Sequence, residues 1–500
     1  MTHFKTLRTT VCLAALVSAS SATADVTAEQ VWENWKENLA IYGEDGVSIG
    51  SEDIGDGTVT VSDLMLKMED EFSSVEANLG TITFTEQGDG SVAVTMSDSY
   101  PITIVPEDGG LIRLNVSQSG MEMIVSGDEA DMTYDVSADR YAFEVVEMVE
   151  DGEALIDGEI MFAANDLNGT YNVKTGELRN LDYDLSMGSL DLLMDFTEPG
   201  GDGVVVVSGK LDAVTLESEM AIPLEIDPEN PEQMFADGFS FTGGYGFSAA
   251  NYIFDFNVDG DSAVGSVAIG EGAVNAAMDA DSLAYDVGVQ NVALNIQSSE
   301  FPFPIEIGLA EYGIGLAMPL SSTEEPADFG LNINFSELTI NDQIWALADP
   351  GEVLPRDPAT VRIDLTGQAK LFFDLMDPEQ AEAMEQAEVP GELNALTLND
   401  LLVSAGGAMI TGTGDFTFDN TDLETFDGMP RPLGEASIQI TGANALIDKL
   451  VSMGLLPQDQ ASMGRMFMGM FARSTGDDQL ETTVEVNEEG HLIVNGQRMQ

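Results

Sequence analysis

The chain of 500 residues holds one cysteine, Cys12, two histidines, His3 and His491, and only 17 Lys and Arg against 89 Asp and Glu, for a net charge of −72. Each shortage removes a class of function. Zinc, haem and iron–sulfur centres draw their ligands from Cys or from several His, so the inventory excludes them. Carboxylates are abundant, and oxygen-ligated calcium is the one metal chemistry left open. Cations are absent altogether from Leu211 to Pro355. Such a field repels phosphate backbones and anionic head groups, which excludes nucleic acid as a partner and opposes unassisted docking on an acidic membrane. In a salty medium counterions screen the self-repulsion over about 10 Å, so the charge is expected to serve solubility, with a specific divalent-cation site as the alternative reading.

Also lacking is any long apolar run. Lys5 and Arg8, the short stretch Val11 to Val17 and the small residues Ala22-Thr23-Ala24 predict a signal peptide over residues 1–24, with cleavage near Ala24 and a periplasmic or secreted product beginning at Asp25. Cys12 leaves with it, and it lacks the residues that precede a lipidated cysteine. No later run reaches about 18 apolar residues, so no transmembrane segment is expected in the mature chain. With 44% hydrophobic residues the chain nonetheless has material for two or more cores.

What is present is alternation. A capping box, Thr27 with Gln30, opens a helix whose Val31, Trp35 and Leu39 recur every four residues, with Trp32 widening the face and Gly43 as its stop. This predicts a docking helix that covers the end of a sheet. From about Thr58 to Ile340 the period becomes two: Val59 and Val61, Ile82 and Phe84, Val92, Val94 and Met96, then Ile112 to Val116, Met132 to Val136, Tyr171 to Val173 and Leu181 to Leu185. Gly88-Asp89-Gly90 marks a hairpin. Val204 to Val207 lacks alternation and reads as a strand buried on both faces. The expected fold is mainly β, with long curved antiparallel sheets in a meander, open groove or sandwich.

Two Pro-rich stretches divide the chain. Residues 25–345 form a helix plus β region with a possible seam at 225–233, around Pro228 and Pro231, and residues 346–500 begin with Pro350, Pro355 and Pro358. Arg356 and Arg362 are expected to pair with local carboxylates. Helices return in this α+β module: one after Asp377-Pro378, ending at Pro390-Gly391, one from about Ala443 to Met453, and one from about Asp459 to Arg473. The last puts Met463, Met466, Phe467, Met470 and Phe471 on one stripe, which reads either as adaptable core or as an apolar face for a ligand or partner. A terminal hairpin is expected from Thr482–Val486 and Leu492–Val494.

Catalytic patterns are few. Gly46-Val47-Ser48-Ile49-Gly50 matches the serine hydrolase elbow G-x-S-x-G, but the mechanism requires a strand before it, a helix after it and a histidine base. Only His491 follows. Asn257-Val258-Asp259-Gly260-Asp261 offers alternating oxygen ligands without the distal bidentate acid of an EF-hand. Gly243-Gly244-Tyr245-Gly246 matches one calcium nonapeptide without stacked copies. No phosphate-binding loop is present. A carboxylate pair for glycoside hydrolysis cannot be singled out from so many acids.

Ile344-Trp345-Ala346, Asp349-Pro350, Leu354-Pro355-Arg356-Asp357-Pro358, Gly412-Thr413-Gly414, Gly442-Ala443-Asn444, Met453-Gly454-Leu455-Leu456-Pro457 and Val494-Asn495-Gly496-Gln497-Arg498 together resemble an exported bacterial family known as domain of unknown function 2125. The resemblance extends back to the Val31-Trp32 helix and brings no activity, substrate or catalytic residue with it. The C-terminal ending is also similar to the tails of envelope proteins whose long open β-grooves handle lipids. Together these features lead to the expectation of an exported, non-catalytic envelope protein without a cofactor, presenting an apolar β-groove to a lipid-like ligand or envelope partner. Its alternatives are a carboxylate- or serine-dependent hydrolase and a calcium-ordered surface or adhesion protein.

Overall fold

A computed structural model describes residues 25–39, 46–69, 72–107, 109–199, 201, 203–224, 233–258, 260–387 and 389–499. The expected signal peptide, Gly43, the seam prolines Pro228 and Pro231, and Asp259 lie outside them. About 64% of the chain is strand and 12% helix. Among the described residues, thirty strands join into a single antiparallel sheet.

The first eleven strands are β1 (Val47–Ser48), β2 (Ser51–Gly55), β3 (Thr58–Ser62), β4 (Met65–Glu69), β5 (Ser73–Asn78), β6 (Thr81–Glu86), β7 (Val92–Met96), β8 (Ser99–Pro106), β9 (Leu111–Ser119), β10 (Glu122–Asp128) and β11 (Asp131–Glu150). They make two limbs that meet on β11. One runs β2–β3–β6–β7–β10 and pairs with residues 131–137; the other runs β1–β4–β5–β8–β9 and pairs with residues 140–149. Helix α1 (Ala28–Leu39) lies on the first limb. Its capping box forms as expected: the Thr27 N–H donates to Gln30 Oε1 at 3.0 Å and the Gln30 N–H to Thr27 Oγ1 at 3.2 Å.

After β12 (Glu153–Ala154) come three long strands, β13 (Asp157–Thr175), β14 (Leu178–Thr197) and β15 (Val204–Pro223). A short helix α2 (Gln233–Ala236) precedes β16 (Ser240–Phe247), β17 (Ala249–Val258), β18 (Asp261–Ile269) and β19 (Gly272–Met278). β16 and β17 share the edge of β15, and β18 and β19 share the edge of β20 (Ser282–Ser298). The ladder continues through β21 (Ile305–Pro319) and β22 (Ala327–Ile340), then helix α3 (Asp342–Ala348), which the sequence pattern did not reveal. The Pro-rich stretch forms the loop after α3. Sheet pairing nevertheless passes across it, from β22 to β23 (Ala359–Leu371).

Helix α4 (Pro378–Gln386), then β24 (Gly391–Ala405), β25 (Ala408–Asp419) and β26 (Arg431–Thr441) follow. Helices α5 (Ala443–Ser452) and α6 (Gln458–Phe471) come next, as expected, and the sheet closes with β27 (Arg473–Gly476), β28 (Gln479–Val486), β29 (Leu492–Val494) and β30 (Gln497–Arg498). α5 has no side-chain cap of its own; Asp478 reaches across to accept the N–H groups of Asn444 at 3.0 Å and Ala445 at 2.9 Å. Arg356 pairs with Asp342 and Glu352, and Arg362 with Asp400, as local pairing required.

This is a ribbon. Among the described residues the strands pair edge to edge in one continuous sheet, and few large apolar side chains are fully buried outside the cluster under α1. The fully buried apolar residues concentrate under α1: Val31 and Trp32 meet Val59, Val61, Ile82, Phe84, Val92 and Val94. Trp32 and Trp35 bracket Phe84 at 5.7 and 5.3 Å, and the Trp32 indole N–H donates to Glu52 at 3.0 Å. The expected double burial of Val204 to Val207 is corrected: all four are half-buried, because among the described residues no second layer covers either face of the sheet there.

Candidate functional site

From β14 to β24, among the described residues, the sheet keeps an apolar face with no helix packed on it. The strand register aligns one row of directly opposed residues, Leu185, Leu216, Tyr245, Val274, Val287, Ile314, Ile333, Ile363 and Leu401, across nine strand positions from β14 to β24. At about 4.8 Å per strand this row is roughly 40 Å long. The opposite face carries Asp182 and Asp184, Glu217 and Glu219, Asn332 and Asn334. Alternation at each strand thus becomes, through register, one greasy face and one acidic face.

A second row runs parallel to the first: Phe143, Phe162, Leu192, Gly209, Tyr252, Val267, Leu294, Ile307 and Ile340. Its parity differs. In β11 the apolar positions are Met132, Tyr134, Val136 and Ala138, then Tyr141, Phe143 and Val145. Between the rows lies a crease where four of the long strands, β13, β15, β20 and β22, place a non-glycine residue at positive φ: Asp166 (52°), Ala213 (49°), Asn291 (54°) and Glu337 (57°). A left-handed residue inside a strand interrupts the alternation by one position and bends the strand. Both apolar rows therefore point to the same side, and the sheet becomes a trough with two walls. Gly188 lies on this crease, where a Cβ would sit 2.9 Å from the Asp166 carboxylate.

The rings of the trough lie down on the sheet. Tyr252 covers the directly opposed Gly209, Phe254 covers Gly265, Phe247 covers Gly272 and Phe329 covers Gly367, each ring occupying the space a Cβ would take. Flat aromatic rings over glycine give an apolar lining with no side chain closing it. Large residues of the two rows and their neighbours, among them Phe143, Phe162, Leu216, Tyr245, Tyr285, Leu316 and Phe335, remain 36–47% exposed. A contiguous apolar patch of this extent is rare on a monomer and marks a contact surface.

The α6 stripe is exposed too. Met463, Met466, Phe467, Met470 and Phe471 are 42–58% accessible, while Ala461 on the other side of the helix is buried and Arg465 turns inward to Asp448 at 2.6 Å. The core reading of the stripe is thereby corrected, because no element packs on that face among the described residues. The carbonyl of Phe471 is held by the Thr482 hydroxyl at 3.1 Å and the Asn495 amide at 2.7 Å, which fixes α6 to the last strands of the sheet.

The remaining candidates do not assemble. Ser48 lies in β1, followed by β2 where the hydrolase elbow needs a helix, and β1 is at one end of the strand order. His491 lies at the other end, in the turn before β29, with Nδ1 3.2 Å from Glu489. Gly243-Gly244-Tyr245-Gly246 is within β16, its tyrosine part of the apolar row. Among the described residues no three His, Cys, Asp or Glu side chains gather as a metal would need. A depression of about 570 Å³ between Asp415, Glu435 and Glu485, and one of about 850 Å³ beside α1 lined by Glu29, Glu33 and Glu129, are open and rich in carboxylates; in the first the Thr397 hydroxyl donates to Asp415 at 2.9 Å.

Residues 256–495 match the family described as an uncharacterized protein conserved in bacteria (DUF2125). The resemblance read from the motifs holds over that span, and the match does not reach α1. No curated protein and no solved structure matches the chain. The motif residues make backbone geometry. Asp349, 1% exposed, accepts the N–H groups of Val353 at 3.0 Å and Leu354 at 2.7 Å, and these hold its carboxyl below the ordinary value. Gly412 and Gly414 stand on the apolar face of β25, and Asn495, at φ 51°, accepts the Thr483 N–H.

Proposed function

We propose that this is a non-catalytic envelope protein, exported to the periplasm or beyond, which holds a lipid-like ligand in the trough formed by its sheet. The observation that carries the reading is the unbroken apolar row from Leu185 to Leu401, which no helix among the described residues covers and which is backed by an acidic outer face. Hydrophobic burial contributes about 25 cal/mol per Å² of apolar surface withdrawn from water, so an acyl chain laid along such a row is stabilised without a single specific contact. The exposed stripe of Met463, Met466, Phe467, Met470 and Phe471 supplies a second adaptable apolar face, for the same ligand or for the envelope partner that exchanges it. Neither a resident cofactor nor a metal enters this reading.

Native mass spectrometry of protein purified without detergent is the test. Lipid adducts, together with uptake of a fluorescent fatty acid, are expected. A bare mass and no uptake would leave the trough as a scaffold surface and end the carriage reading.

A further inference from the structure

The rims of the trough are the turns between its strands, and over the middle of the trough, from the end of β15 to β22, their charges are of one sign. Glu177 and Asp279 lie in turns along one rim, as do Glu324 and Glu325; Glu198 and Glu300 lie in turns along the other. Between Leu211 and Pro355, the stretch that forms most of β15 and all of β16 to β22, no Lys or Arg is present on either rim. An amphiphile with its tails on the apolar rows has its head group at a rim. There an anionic head group meets only carboxylates over the middle of the trough, whereas an ammonium group meets opposite charge on either side.

Resting on the carriage reading above, we infer that the trough takes long-chain amphiphiles whose head group bears an ammonium group and discriminates against anionic ones. Coulomb repulsion between exposed charges in water is small per pair, and each rim presents several carboxylates within a few strand spacings, so the discrimination is expected at about fivefold or more at low salt. Salt screens it, because the rims are open to solvent.

The experiment incubates the purified chain with mixed vesicles holding equal amounts of dioleoyl phosphatidylethanolamine and dioleoyl phosphatidylglycerol. EDTA is present to remove bridging divalent cations, and native mass spectrometry reads the bound lipid. Ethanolamine lipid bound in about fivefold excess at low salt, with the excess shrinking at high salt, supports the inference. The variant carrying Glu300→Lys, Glu324→Lys and Glu325→Lys, all at exposed turn positions, should shift the ratio toward the glycerol lipid while melting as the parent does. Equal loading of both lipids, or preference for the anionic one, overturns the head-group inference and leaves carriage standing. No loading of either overturns carriage and this inference with it. A lipid-free dimer would show that a second copy covers the trough, with the same consequence.

Discussion

The sheet beneath α1 and the sheet beyond it are written in the same pattern of alternating apolar and polar residues, yet they end in opposite states. Under α1, Val59, Val61, Ile82 and Phe84 are sealed from water by Val31 and Trp32. Past β14, Leu216, Tyr245, Tyr285, Leu316 and Phe335 on the same face of the same sheet stand more than a third exposed, and their apolar row neighbours are only half-buried. A single short amphipathic helix is thus the difference between core and surface. Conventional stability explains the covered end. The bare end carries apolar area whose exposure costs free energy in the isolated chain, and a ligand lying in the trough would withdraw that area from water.

Removing the cover should produce the largest effect. Trp32→Ala deletes the largest fully buried side chain and is expected to cost about 3–5 kcal/mol, read as a drop in denaturant midpoint. If the covered end behaved like the open trough, the cost would fall below about 1 kcal/mol.

Alkaline pH separates the two regions next. Burial pushes the Tyr134 hydroxyl up to about 12 from its ordinary 10. Because the folded value is raised, its contribution is complete below pH 10 and is lost as pH climbs toward 12, on the order of 2 kcal/mol. Unfolding followed over that interval should be less pH-dependent in Tyr134→Phe, since phenylalanine has no proton to lose; an unchanged slope would contradict the burial assigned to this ring.

In the open trough stability and function should come apart. Phe162→Ala and Tyr285→Ala are expected to change stability by less than about 1 kcal/mol, since much of each ring is already in water. Changing both to Asp should cut fatty-acid uptake several-fold, on the order expected from lost apolar contact area. Uptake equal to the parent's would place the ligand elsewhere. The smallest effect belongs to α6: Met466→Glu should leave stability within about 0.5 kcal/mol, as for an unpacked surface position. A loss of about 2 kcal/mol or more would mean that the stripe is covered in solution.

The alternation from Thr58 onward, the Thr27–Gln30 box and the C-terminal helices were legible because each is a local signal of period, cap or stop. The trough itself was legible only as a class. Its rows depend on register: that Tyr252 opposes Gly209 and Phe329 opposes Gly367 follows from pairings between residues about 40 positions apart, which no local pattern encodes. The crease left a trace in the sequence, the change of parity in β11 after Ala138, while the positive φ at Asp166 in the paired strand β13 and at Ala213 in β15 has no local signature. Val204 to Val207 misled because an unbroken apolar run implies two covered faces, and here no described residue forms a layer over either face. The Met–Phe stripe misled for a related reason: periodicity shows that a face exists and says nothing about whether another element sits on it.

The two faces of the trough offer the most direct test. A photoreactive benzoylphenylalanine placed at Phe162, Tyr285 or Phe335 on the apolar face, and at Asp184 or Glu217 on the outer face, is irradiated in cells before purification, and covalent adducts are read by mass. Lipid carriage in the trough predicts adducts at the three apolar positions and none at the two acidic ones. Adducts absent from all five, or equal on both faces, would contradict it.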